Sequence, residues 1–154
     1  MIKGLYEAHL PVTDLERAIE FYRSLGLEKA FVYPDVVFMW IEKRRSWLGL
    51  WLVEAISEER NPSFFPGHGR HLAFQIDFED LLQAMEWLRE KGIQPIPFEH
   101  FKPTEPVARP HQLNASIYFE DPDGNQLELI CNLPTNYLSE PEEVVYFSEL
   151  KVKE

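Results

Sequence analysis

Ile117-Tyr-Phe-Glu-Asp-Pro-Asp-Gly-Asn-Gln-Leu-Glu128-Leu-Ile130 reads as strand, tight turn, strand. In Asp121-Pro122-Asp123-Gly124 the proline presets φ and the glycine accepts positive φ, which is turn chemistry. Apolar residues flank the turn on both sides, as in a hairpin. On the second strand Leu127 and Leu129 share one face; Gln126, Glu128 and Ile130 share the other. A carboxylate in so apolar a run costs free energy unless something pairs with it. Glu128 is therefore the first candidate functional residue.

Upstream, the chain repeats itself. Leu15 to Leu27 and Leu81 to Ile93 carry Ala, Glu, Arg and Gly at matching places, with an aromatic after each matched Glu. Apolar stripes at helical spacing run through Leu15, Ala18, Ile19 and Tyr22, and through Leu81, Ala84, Met85 and Leu88. Thr13-x-x-Glu16 has the pattern of a capping box, and each helix ends at a glycine, Gly26 or Gly92. An alternating strand precedes each helix. Tyr6, Ala8, Leu10 and Val12 face the core in the first, with Glu7, His9 and Pro11 opposite; Leu72, Phe74 and Ile76 face it in the second, with His71, Ala73 and Gln75 opposite. Strand-like runs follow each helix: Ala30 to Tyr33, Val36 to Glu42 and Trp47 to Glu54, then Gln94 to Phe98, Ser116 to Phe119 and Gln126 to Ile130. Each half reads β-α-β-β-β. The expected domain is α+β and spans residues 1–132, with modules at about 1–56 and 70–132. The seam lies at Ser57 to Gly69, and 133–154 is a C-terminal extension. The Pro-bearing segment Glu99 to Gln112 is expected to be a loop over the surface or a site mouth. Glu142 to Leu150 is expected to be a short helix or strand that packs on a partner.

Composition narrows the function. The 154 residues suffice for a real core, and 45% hydrophobic content fits a folded globule. A formal net charge of −11 argues against nucleic acid and anionic membranes as partners. No apolar run approaches membrane-spanning length, and Met1 to Glu7 has no signal-like stretch. The single cysteine, Cys131, rules out an intrachain disulfide and a cysteine zinc cluster. A cytoplasmic location is expected.

Aligned on their strands, the halves match His71 to Glu7 and Ala73 to His9, and place the counterpart of Glu128 within Leu48 to Leu52, at Trp51. Two such units tend to curl around a shared cleft, with Glu7, His9, His71 and Glu128 on strand faces opposite the helices. Imidazole and carboxylate together suit one divalent ion: Zn, Mn, Fe, Ni or Co. Glu7 and His9 lie on one side of their strand, so both could chelate, or one could bind while the other does acid–base work.

Three motifs carry a family resemblance: His9-Leu-Pro-Val-Thr-Asp14-Leu-Glu-Arg-Ala-Ile-Glu-Phe-Tyr22, His71-Leu-Ala-Phe-Gln-Ile76, and Tyr118-Phe-Glu-Asp-Pro-Asp-Gly-Asn-Gln-Leu-Glu128. Over residues 1 to 132 the chain resembles the vicinal oxygen chelate superfamily of glyoxalase I, bleomycin-resistance proteins, extradiol dioxygenases and fosfomycin-resistance thiol transferases. The resemblance implies paired β-α-β-β-β modules around a metal-bearing cleft, and a homodimer. It implies metal ligands at His71, at Glu128 and on the first strand, at Glu7, at His9 or at both. Glyoxalases carry a further glutamate in the first half, where this chain has Trp51 or its neighbours. The arginine that many thiol transferases use to hold a phosphonate is replaced near Tyr137, leaving Lys102 and Arg109 as substitutes.

The expected function is that of a metal-dependent enzyme, a lyase or isomerase, or a dioxygenase, acting on a small molecule that offers two oxygens to the metal. His9 and Glu128 are expected at the chemistry, with Trp47, Trp51, Tyr118 and Arg109 around the substrate. The alternatives are a ligand-sequestering protein of the bleomycin-resistance type and a fosfomycin-type thiol transferase.

Overall fold

In a computed structural model the described residues are 1–61, 63, 66–139 and 142–153. They form two compact units, Met1–Arg70 with Asp121–Asn125, and His71–Glu120 with Gln126–Glu154.

The first unit holds β1 (Glu7–Val12), α1 (Leu15–Ser24), β2 (Glu28–Val32), β3 (Val36–Glu42) and β4 (Ser46–Leu52). Its sheet runs β1-β4-β3-β2, with β1 parallel to β4 and the other pairs antiparallel. One face is apolar and covered by the helix: Leu10, Val12, Val37, Met39, Leu48 and Leu50 are buried with Ala18 and Tyr22. The helix start differs from expectation. Asp14 is the N-cap, its side chain accepting from the Arg17 N–H. Thr13 is drawn away because its N–H and hydroxyl both donate to Asp123 Oδ1. The helix ends as expected, with Gly26 at φ +99° and the Leu27 N–H returning to the Tyr22 carbonyl.

The second unit holds β5 (His71–Gln75), α2 (Leu81–Glu90), β6 (Val107–Arg109), β7 (Asn114–Glu120), β8 (Gln126–Asn132) and β9 (Val145–Tyr146). Its sheet runs β5-β8-β7-β6-β9, with β5 parallel to β8. Leu81, Ala84, Met85 and Leu88 of α2 are all buried, as their spacing predicts. The hairpin β7–β8 forms around a turn with Gly124 at φ +75°. Its tip groups with the first unit. The Tyr22 hydroxyl donates to Asp121 Oδ2 at 2.7 Å, and Arg17 pairs with Asp123 at 3.0 Å.

Two expectations are corrected. Gln94 to Phe98 is not a ladder strand: Pro95 and Pro97 have no N–H to give, and Ile96 makes a single bridge to Tyr118. The second strand of the module is instead β6, inside the segment expected to be a loop. The extension forms the expected short strand, and this strand, β9, packs on β6 of its own unit. The seam Ser57 to Gly69 has no helix or strand in its described residues, and Pro62, Phe64 and Phe65 lie outside them. So do Glu140, Pro141 and Glu154 of the extension.

Candidate functional site

The chemistry-bearing side chains lie on the sheet faces that the helices leave uncovered. In the second unit the cross-strand register places Ala73 and Tyr118 beside Glu128, His71 beside Gln126, and Arg109 beside Asn114. Ser116, two residues from Tyr118, shares their face.

Glu128 is 6% exposed, and His71, Ser116 and Arg109 favour its ionised form. The Ser116 hydroxyl donates to Oε1, and Oε2 faces His71 Nε2 at 3.0 Å. Burial alone would raise its pKa. The bonds from His71 and Ser116 and the charge of Arg109 more than offset that and hold the carboxyl below its usual range. Tyr118 moves the other way, to about 12, because it is buried and lies beside the Glu128 charge. It is therefore a neutral phenol, and an Arg109 N–H donates to its oxygen. Arg109 also donates to Ser116 Oγ at 3.3 Å, and its guanidinium lies 4.7 Å over the Phe98 ring. The sequence offers Arg109 as a substrate-side cation, but on a loop. The β6 strand sets it against the site.

The two histidines use Nδ1 in opposite senses, as a donor in His71 and as an acceptor in His9. His71 Nδ1 lies 3.1 Å from the Gln126 carbonyl, which can only accept, so Nδ1 carries a proton. A neutral His71 then turns the lone pair of Nε2 toward a carboxylate oxygen. Two acceptors at that separation need a positive species between them, a proton on Nε2 or a metal ion. An imidazole oriented through its Nδ1–H, beside a carboxylate whose other oxygen is already bonded, is a donor set suited to a divalent ion. In the first unit the Trp51 indole N–H donates to His9 Nδ1 at 2.8 Å, so Nδ1 is the acceptor and the proton of neutral His9 is on Nε2. That Nε2–H faces Glu7 Oε2 at 3.5 Å, while Glu7 Oε1 accepts from the Trp47 indole at 2.9 Å. Glu7 thus keeps an oxygen lone pair for a metal, whereas His9, so held, offers a proton.

The structure brings the expected residues together as two pairs, Glu7 with His9 and His71 with Glu128. Among the described residues no three His, Cys, Asp or Glu side chains gather into a metal-holding group. Trp47 is half-buried among Tyr6, Phe31, Phe38 and Trp40, with ring centroids 4.8–5.7 Å away, and Trp51 is 40% exposed against His9. The counterpart of Glu128 is corrected. Glu128 pairs with Ala73, and His9, which matches Ala73, pairs with Gly49, so Gly49 and not Trp51 stands at the equivalent place. The residue missed was Ser116, whose signal was its place two residues before Tyr118 on the same strand face. Cys131 is buried and free, and burial pushes its thiol up, away from nucleophile chemistry.

Comparison with known proteins places this geometry in context. The profile of the Glyoxalase/Bleomycin resistance protein/Dioxygenase superfamily matches residues 4–129. The chain is 30% identical over 122 residues to the metallothiol transferase FosB of Staphylococcus epidermidis, covering 77% of this chain and 74% of that protein. Its fold is similar to that of the fosfomycin resistance protein FosX from Listeria monocytogenes, with a TM-score of 0.63, 25% identity, and 86% of this chain and 95% of the other covered. It is also similar to a lactoylglutathione lyase from Agrobacterium tumefaciens, with a TM-score of 0.61, 27% identity, and 84% and 94% covered.

Proposed function

The chain belongs to the Glyoxalase/Bleomycin resistance protein/Dioxygenase superfamily, and from that premise we propose that it is a divalent-metal-dependent enzyme acting on a small substrate with two neighbouring oxygens. The observation that carries this reading is the His71–Glu128 pair, with its imidazole fixed by a backbone carbonyl and its carboxylate held ionised by Ser116 and Arg109. His71 and Glu128 are assigned as ligands, with Glu7 as the first-strand ligand. Once bound, the ion would polarise the substrate oxygens as a Lewis acid.

The other assignments concern this chain's own side chains. His9, held by Trp51 with its proton on Nε2, donates that proton toward the substrate or orients Glu7. Tyr118 stays a phenol, its O–H bonded to Glu128 and its oxygen accepting from Arg109, and so ties the two charges of the site together. Arg109 keeps N–H groups beyond those given to Tyr118 and Ser116 and balances negative charge on the substrate. Trp47, Trp51 and their ring neighbours give an apolar surface beside Glu7. We further propose a homodimer in a cytoplasmic setting, the latter consistent with the free, buried Cys131. No helix among the described residues is long and apolar enough to cross a membrane.

A second reading is favoured by Arg109. Thiol transfer of the kind named for the FosB relatives needs a cation for an anionic electrophile, and Arg109 stands beside the Glu128 network. A sequestering protein of the bleomycin-resistance type has no need of the oriented His71–Glu128 pair.

The test is elemental analysis of protein purified without chelator, paired with an activity screen of thiol addition against catechol cleavage. We expect about one divalent ion per chain. It should be lost in His71→Ala, Glu128→Ala and Glu7→Ala and kept in His9→Ala. Full metal loading in Glu7→Ala would remove Glu7 from the set, and metal-free wild-type protein that cannot be loaded would overturn the reading.

A further inference from the structure

The family match ends at residue 129, yet the segment beyond it pairs with the strand that carries Arg109. β9 lies along β6, with Tyr146 opposite Val107 and Val145 opposite Ala108, one residue from Arg109. The Tyr146 hydroxyl accepts from the Lys102 N–H at 2.9 Å, and its ring meets Phe101 edge-on at 5.1 Å. Tyr146 and Val144 pack against the buried cluster of Phe98, Phe101, Val107 and Tyr118. The Phe98 ring is stacked on Tyr118 at 4.9 Å and 16°, and it also carries the Arg109 guanidinium.

Further anchors hold the segment. The Phe147 N–H returns to the Pro106 carbonyl, and the Ser148 hydroxyl donates to Glu105 at 2.7 Å. These bonds fix Glu105 and Pro106, the two residues that lead into β6. A three-residue strand ending in a functional arginine is a weak platform by itself, because a short edge ladder has few bonds to lose before it frays. With β9 on its outer edge, β6 becomes an inner strand, and Tyr146 lies on the same face as Val107 and Arg109, packed against the cluster that holds Phe98.

We propose that Tyr146 is a positioning residue for Arg109: through Lys102, Phe101 and Phe98 it sets where the guanidinium stands, and so tunes binding of the anionic part of the substrate. This rests on the reading that Arg109 meets that anion, and it assigns the C-terminal segment to the site rather than to a partner. Tyr146 itself is not one of the proposed metal ligands, His71, Glu128 and Glu7.

The experiment titrates inorganic phosphate and, separately, Mn2+ into full-length protein by calorimetry, for wild type, Arg109→Ala, Tyr146→Ala and Tyr146→Phe. A misplaced supporting group typically costs on the order of tenfold. Tyr146→Ala should weaken phosphate by about that factor while Mn2+ affinity stays within about twofold. Tyr146→Phe, which keeps the ring, should recover most of the phosphate affinity. Wild-type phosphate binding in Tyr146→Ala, with Arg109→Ala impaired, overturns the positioning role and leaves Arg109 in place. Equal loss of Mn2+ and phosphate in Tyr146→Ala also overturns it, since the segment would then merely hold the unit together. If Arg109→Ala binds phosphate as wild type does, the underlying reading of Arg109 falls.

Discussion

Ser116→Ala isolates one hydrogen bond at the centre of the proposed site. Ser116 is fully buried; its hydroxyl donates to Glu128 Oε1 and accepts from Arg109. Alanine leaves the strand geometry intact but leaves a buried carboxylate oxygen without that donor. An unsatisfied buried acceptor costs about 1–3 kcal/mol. With a midrange loss of about 2 kcal/mol, the melting midpoint of a chain this size should fall by roughly 4–8 °C. The metal should feel the loss too. Removing the group that orients a ligand typically costs about 10–100-fold in affinity, or about 1.4–2.8 kcal/mol. The effect depends on pH with a definite sign. The folded Glu128 carboxyl is held low, so its stabilisation is present above its unfolded pKa and lost as pH falls through the folded value. Without the Ser116 hydroxyl the folded pKa climbs, and the loss in acid begins at a higher pH. Thermal melts across pH and Mn2+ calorimetry read both effects. A well-folded Ser116→Ala that binds Mn2+ within twofold of wild type, with an unshifted acid limb, would refute the idea that this hydroxyl orients and charges Glu128.

Other perturbations separate scaffold from chemistry. Tyr22→Phe removes a buried donor to Asp121, whose carboxyl is raised by burial although its donors pull it down. We expect a loss of about 1.5–2 kcal/mol near neutral pH that shrinks in acid, where protonated Asp121 no longer needs the donor; urea melts at two pH values check this. In Gly49→Ala the new Cβ would strike the His9 ring, an end that can swing away, and would also crowd Phe38. Stability should change by less than about 1 kcal/mol while His9 leaves Trp51, seen as a changed His9 15N tautomer pattern. Trp51→Phe removes the donor to His9 Nδ1, so the same spectrum should show mixed tautomers.

Much of this was legible in the sequence because the signals were local and periodic. The α2 stripe, the glycine helix ends and the Asp121–Gly124 turn each depend on residues a few positions apart. The faces of β1 and β5 followed from alternation, except that Tyr6, expected on the core side, precedes β1 and is half exposed. What escaped depended on distant partners. Thr13 fits a capping box by spacing, but Asp123, far along the chain, takes both of its donors. Val107 to Arg109 is too short and too closely flanked by prolines to signal a strand, and it is one because β7 and β9 pair with it. Arg109 therefore read as a loop cation. Nothing in the sequence gave the histidine tautomers, which a tryptophan and a backbone carbonyl decide.

The two modules also divide their chemistry by volume. In each, the first strand lies parallel to the last, and one cross-strand pair sits at the middle of the open face: His9 opposite Gly49, Ala73 opposite Glu128. Each pair sets one large polar side chain against one small residue. The Gly49 position shows why, since even a methyl group there would meet the His9 ring. A carboxylate at the place equivalent to Glu128 is thus incompatible with His9 in its present pose. The first module cannot reproduce the histidine–glutamate pair of the second while His9 stays on Trp51. The two halves each give one imidazole and one carboxylate, but from different strand positions and with Nδ1 used in opposite senses. That asymmetry points to a division of labour, with His71 and Glu128 suited to hold a cation and His9 suited to hold a proton next to Glu7.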